Sequence, residues 1–184
     1  MKKFLLLTLS ALLFFSMNIT AMASDYDLRT VSNLDAEILK EYMHPESRHL
    51  AEDVIRICAE QHISAEFIAA VMRWERRPDL HNWFGWMGYD GTLMQFSDDI
   101  SCLETIIPLI KKNYLTVGGK YFNGYTVAAV SLFYNNSDFW RNTISDELER
   151  ILKASSYQAP FQLSSKHTSC LSKTPFRSKL LQTI

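Results

Sequence analysis

The sequence predicts a mostly helical α+β domain, with one small β-hairpin lobe between its third and fourth helices. Apolar residues recur at helical spacing along most of residues 35–152. Residues 82–96 break that rhythm with aromatics, three glycines and an Asp90-Gly91 turn, the marks of a short hairpin. The composition, 47% hydrophobic and 21% charged with 6 Gly and 5 Pro, excludes collagen, low-complexity linkers and a fully disordered chain. No internal repeat is present, and 184 residues suit one domain with a tail.

The elements follow in order. Asp35 to Met43 reads as a short helix stopped near His44-Pro45, because a residue before proline avoids the helical region. Glu46 to His62 reads as a second helix, carried by Leu50, Val54, Ile57 and Cys58. Ser64 can cap a third, with Glu66 in its first turn and Phe67, Ile68, Val71 and Met72 on its apolar stripe. Arg76-Arg77-Pro78 ends it. After the hairpin, Ser97 is expected to cap a fourth helix, with Asp98 and Asp99 in its first turn. That helix runs to about Leu115 and carries Pro108, where a kink is expected. A Gly118-Gly119 loop, an apolar helix from Thr126 to Tyr134 and an amphipathic helix from Ser137 or Asp138 through Leu152 complete the core.

Both ends of the chain read differently. Lys2 and Lys3, the apolar stretch Phe4 to Phe15 and Ala21-Met22-Ala23 form the layout of a secretory signal peptide over residues 1–23. Export to the periplasm or the extracellular space is therefore expected, with no membrane span left after cleavage. Between Ser24 and Lys153, 13 Lys and Arg face 20 Asp and Glu, a charge of −7. Residues 154–184 hold four Lys and Arg, no acid and seven serines, and read as a poorly ordered basic extension. The net charge of −1 argues against a nucleic-acid partner.

An oxidising compartment makes the three cysteines informative. Cys58 and Cys102 fall on core helices and form the expected pair for one bridge, with Cys170 spare; two buried free thiols are the alternative. The five histidines show no ligand spacing, so neither a metal nor another cofactor is expected.

One carboxylate stands out. Glu75 continues the apolar stripe of the third helix and sits at its C-terminus, the negative end of the helix dipole. Desolvation and that dipole both disfavour a charged carboxylate, the setting of a general acid. The alternative is an outward Glu75 paired with Arg73, Arg76 or Arg77. Flat apolar rings also make platforms for sugar faces. Trp83 and Trp86, in the glycine-rich segment after Glu75, are the candidates for ligand contact.

The order of these motifs resembles the glucosaminidase family of peptidoglycan hydrolases (glycoside hydrolase family 73). The helix Phe67 to Glu75 stands where that family has a helix ending in its catalytic Glu. His81-Asn82-Trp83-Phe84-Gly85 stands for Asn-Asn-x-Phe-Gly. Gly91, Phe96-Ser97-Asp98-Asp99-Ile100, Asn113-Tyr114-Leu115, Gly119-Lys120-Tyr121-Phe122-Asn123-Gly124, and Tyr134 followed by Trp140 continue the series across about residues 46–150.

The resemblance implies a lysozyme-like domain over residues 24–153 that cleaves β-1,4 bonds in the glycan strands of the cell wall. It assigns Glu75 as general acid. Tyr134 becomes a cleft tyrosine that positions substrate or stabilises positive charge, the alternative being a buried helix tyrosine. Asn82, Trp83, Phe84 and Trp86 become substrate contacts. The family's second carboxylate comes from the β-lobe, where this chain offers only Asp79 and Asp90. Asp90 is carried as the catalytic candidate, although an Asp-Gly pair is also simple turn chemistry. If neither serves, the N-acetyl group of the substrate can act as nucleophile.

Arg76-Arg77-Pro78 and His81 depart from the family pattern and imply a reshaped cleft wall. Two other readings stay open. Gly91-Thr92-Leu93-Met94-Gln95 resembles a lytic transglycosylase signature, and a glycan-binding relative without activity would keep the same aromatics.

Overall fold

Ser64 starts the helix that organises the molecule. Its hydroxyl accepts a hydrogen bond from Phe67 N at 3.1 Å and closes the first turn of a helix over Ala65–Glu75. Every residue from Ala65 to Met72 is buried. A helix buried all round belongs at the centre of a fold, not on its surface. The stripe Phe67, Ile68, Val71 and Met72 is thus only part of its contact. Burial ends at Trp74 and Glu75, where the helix emerges from the core.

The structure, a computed structural model, describes residues 25–31 and 33–165, with side chains through Ser156. Residues 1–24, with the expected signal peptide, residue 32, and residues 166–184, with Cys170, lie outside the described residues. The described part is mostly helical. Its α-helices are α1 (Ala36–Tyr42), α2 (Ala51–Gln61), α3 (Ala65–Glu75), α4 (Asp99–Tyr114), α5 (Val127–Tyr134) and α6 (Asp138–Ser165). α2 packs on α4, α3 lies between α2 and α6, and α1 and α5 both rest on α6. Val54, Ile57, Ile106, Ile110, Ile144 and Leu148 from these helices meet in one core. Among the described residues no helix is long and apolar enough to cross a membrane.

Several boundaries differ from the sequence reading. The second helix begins as a 3-10 helix, Pro45–Leu50, before α2 takes over. Proline suits that first position because its missing N–H has no partner there anyway. Asp98, not Ser97, caps α4: its carboxylate accepts from Ser101 N at 2.8 Å. Pro108 lies inside α4, which continues past it. The carbonyl it leaves unpaired belongs to exposed Glu104, where water reaches it. α6 continues to Ser165, well past the expected start of the tail at residue 154.

No named strand forms among the described residues. The expected hairpin is reduced to an isolated antiparallel bridge, Met87 with Leu93, and a second bridge pairs Arg77 with Asn82. Gly88 N donates to Thr92 O at 2.8 Å and Met94 N to Trp86 O at 2.9 Å, so the chain does turn back on itself. Cross-strand pairing stops there because side-chain bonds from Asn82 organise the rest of the loop.

Cys58 and Cys102 are free, buried thiols, which corrects the expected bridge. Each fills core space on its helix, at 1% and 0% exposure. Burial pushes the Cys58 thiol well above its usual range and that of Cys102 up to about 12.

Candidate active site

Three segments converge on Glu75. The first is α3 itself, which delivers the side chain half-buried at its C-terminal end. The second is the start of α6. Trp140, 4% exposed, donates its indole N–H to Glu75 Oε1 at 2.6 Å. The third is the loop after α3. Gly85 has φ +57°, and a Cβ there would lie 2.9 Å from the Glu75 carbonyl oxygen and 3.1 Å from Oε2. Only a residue without a side chain lets this backbone approach the carboxylate so closely.

Among the described residues Glu75 makes no ion pair, and the Arg73 and Arg76 side chains are engaged elsewhere. Arg73 donates to Tyr42 O at 2.6 Å and lies 3.6 Å from Glu147. Arg76 donates to Arg73 O and lies 3.8 Å from Glu46. Arg77 pairs through its backbone with Asn82.

Tyr134, the last residue of α5, stacks on Trp140 with ring centroids 5.2 Å apart. Its hydroxyl donates to Phe84 O at 2.9 Å. Burial, and after it the charge of Glu75, push this phenol well above its ordinary range, so it remains a donor. A closed ring results: Glu75 to Trp140, Trp140 to Tyr134, Tyr134 to the Phe84 carbonyl, and Gly85 back onto Glu75.

Every member of this ring except Trp140 lines a cavity of about 790 Å³, within the usual size range of ligand pockets. Trp86, Tyr114, Tyr121, Phe133 and Tyr134 give it a largely aromatic lining. Trp86 meets Tyr134 and Tyr114 edge to face, with centroids at 6.0 and 6.5 Å. Tyr121 lies on Tyr114 at 5.1 Å, and on Phe133 at 5.9 Å. Burial pushes the Tyr114 phenol up to about 12. Among the lining residues Glu75 is the single carboxylate and Lys120 the single cation.

The other expected site residues are placed less simply. Asn82 is fully buried and serves the loop. Its amide donates to Trp86 O and Met94 O, both at 2.8 Å, and accepts from Trp86 N at 2.9 Å. Trp83, 2% exposed, is core. Phe84, at 1% exposure, reaches the cavity edge but spends its carbonyl on Tyr134. Trp86 alone of the four offers a half-exposed ring to the cavity.

Asp90 is exposed and lies outside the lining. Its Oδ1 accepts from Thr92 N at 3.0 Å and Thr92 Oγ1 at 2.8 Å, and these two bonds hold its carboxyl below the usual range. It is spent on the turn. Asp79 is exposed on the 3-10 helix Pro78–Leu80. His81 adopts φ 48° and bonds through Nδ1 to Asp99 Oδ1 at 2.6 Å, which anchors the loop to the start of α4.

Sequence reasoning missed the bond from Trp140 to Glu75, since Trp140 was read as the apolar face of a helix and as the last member of the motif series. Its signal was its spacing after Tyr134. Lys120 and Tyr121 entered the sequence reading only as part of the Gly119-to-Gly124 segment, because nothing local shows that a loop lysine faces a cavity. Among the described residues, no group of three or more His, Cys, Asp and Glu side chains is placed to hold a metal ion. No protein-family model matches the chain, and no curated protein matches it.

Proposed function

We propose that the protein is a lysozyme-like glycan-cleaving enzyme of the cell wall, with Glu75 as its general acid and the aromatic cavity as its substrate cleft. One observation carries the reading. A carboxylate without an ion pair is oriented by a buried indole on the wall of a cavity lined by aromatic rings. Stacked rings suit the apolar faces of sugars, and Glu75 is the lining residue that can deliver a proton.

In this mechanism the Glu75 carboxyl gives its proton to the glycosidic oxygen as the bond from that oxygen to the anomeric carbon breaks. Trp140 holds Oε1, which leaves Oε2, on the Gly85 side, for the transfer. The anomeric carbon then needs an electron pair. With Asp90 committed to its turn, the carbonyl oxygen of the substrate's own N-acetyl group supplies it, forming a cyclic intermediate. Glu75, now a carboxylate, takes a proton from the water that opens the intermediate.

A single acid in the cleft also fits a lytic transglycosylase, in which the 6-hydroxyl of the same sugar attacks instead of water. Digestion of purified sacculi with mass spectrometry separates the two. A hydrolase leaves reducing sugar ends, and a transglycosylase leaves 1,6-anhydro ends. Glu75→Gln should abolish release of soluble fragments while the melting temperature stays near that of the parent. If the parent protein binds sacculi and releases nothing, the catalytic reading fails and a glycan-binding role takes its place.

A further inference from the structure

A chain of contacts with a different charge at each end runs along the cavity, with Trp140 as its one member behind the lining. From Glu75 it passes to Trp140, then to Tyr134, Tyr114 and Tyr121 by ring steps of 5.2, 5.7 and 5.1 Å. It finishes at Lys120, whose ammonium lies 4.9 Å from the Tyr121 ring centroid. Among the described residues Lys120 enters no ion pair, although Lys40 and seven other lysines and arginines do.

Its place is fixed by the backbone. Tyr121 N donates to Asn113 O at 2.9 Å, and Gly119 lies against the last turn of α4, with 2.7 Å between a Cβ there and Asn113 O. The loop that carries the lysine is therefore held against the cavity. Tyr121, and more weakly Tyr89, keep the ammonium above the ordinary lysine range, so it is charged at any physiological pH.

We propose that Lys120 receives a carboxylate carried by the glycan, so that the cleft selects an acidic saccharide over a neutral one. This rests on the reading of the cavity as a glycan cleft. An ammonium at the solvent edge of an aromatic wall, with no carboxylate among the described residues to neutralise it, is a ready partner for an anionic substituent on a sugar whose neighbour lies against the rings. Its selectivity is electrostatic and therefore falls with salt.

The test is a binding titration followed by tryptophan fluorescence, with Glu75→Gln as the background so that nothing is turned over. The probes are a neutral chito-oligosaccharide and a glycan strand of similar length stripped of peptide, whose ether-linked lactyl carboxylates are free. The background protein should bind the acidic strand more tightly at low salt, and the difference should shrink as salt rises. Adding Lys120→Gln should weaken the acidic strand about two- to fivefold, the scale of an exposed ion pair, and leave the neutral one unchanged. Lys120→Arg should retain the preference. Equal binding of both strands, or an equal loss of both in Lys120→Gln, overturns the role of Lys120 and leaves the cleft reading standing. Binding of neither strand overturns both.

Discussion

Trp140→Phe isolates the one contact that orients Glu75. The substitution removes the indole N–H that bonds Oε1 at 2.6 Å but keeps an aromatic ring to stack on Tyr134. A hydrogen bond to a charged group contributes about 1.5–3 kcal/mol. If that amount is lost from the transition state, kcat falls by about ten- to a hundredfold. Stability should respond less, because a phenyl ring still fills most of the buried site and the freed carboxylate oxygen lies at a cavity open to water. The assay is the initial rate of fragment release from purified sacculi at several concentrations, paired with a thermal melt. The expected result is a lower kcat, a KM within about twofold of the parent, since uniform binding is untouched, and a melting temperature that shifts by a few degrees at most. A Trp140→Phe protein with full kcat would refute the claim that the indole positions the acid. A large fall in melting temperature with a proportional loss of soluble protein would reassign Trp140 to packing alone.

Three further outcomes follow from the same geometry. Gly85→Ala should lose activity and about 1–2 kcal/mol of stability in urea unfolding, because φ +57° is left-handed and the new methyl would crowd Glu75; unchanged activity would show that the loop does not confine the carboxylate. Asn82→Ala should cost at least about 2 kcal/mol by the same measurement, since two loop carbonyls and two N–H groups lose their partner. Cys58 and Cys102 should resist iodoacetamide in the native protein up to about pH 9 and react only on unfolding, because burial holds both thiols in the neutral form; mass spectrometry of the alkylated chain reads the result.

The helices were legible because their signals are local. Asp35 and Ser64 cap α1 and α3 as their side chains allow, and the spacing of Ile106, Ile107 and Ile110 marks the buried side of α4. The loop 82–96 was not legible in the same way. Aromatics and glycines there suggested a hairpin, but one buried amide captures the backbone groups that strands would have shared. An asparagine in a loop reads as a group free to meet solvent or substrate unless its four bonding positions are known to be filled. Trp83 was misassigned for a related reason: a tryptophan beside glycines suits a sugar platform or a core plug equally, and only burial decides between them. Glu75 was legible because two independent features, its helix register and its terminal position, marked one residue. Trp140 was not, since its partner is 65 residues away.

In the proposed glycan cleavage, the second catalytic group is the step at which geometry constrains chemistry most. Retaining and inverting glycosidases that use two protein carboxylates need both of them flanking the scissile bond. Here Asp90 points its Oδ1 at Thr92 and lies outside the cavity lining. Asp90→Asn is a clean probe, because the amide oxygen can still accept both bonds from Thr92 and the turn survives while the charge is removed. A substrate-assisted reaction predicts that Asp90→Asn retains the parent rate within about twofold, while Glu75→Gln abolishes it. It also predicts that a glycan whose N-acetyl groups have been removed is bound but not cut, because the internal nucleophile is missing. A dead Asp90→Asn protein with an unchanged melting temperature would transfer the nucleophile or base to Asp90. The loop would then have to close on the substrate far enough to bring that carboxylate to the bond.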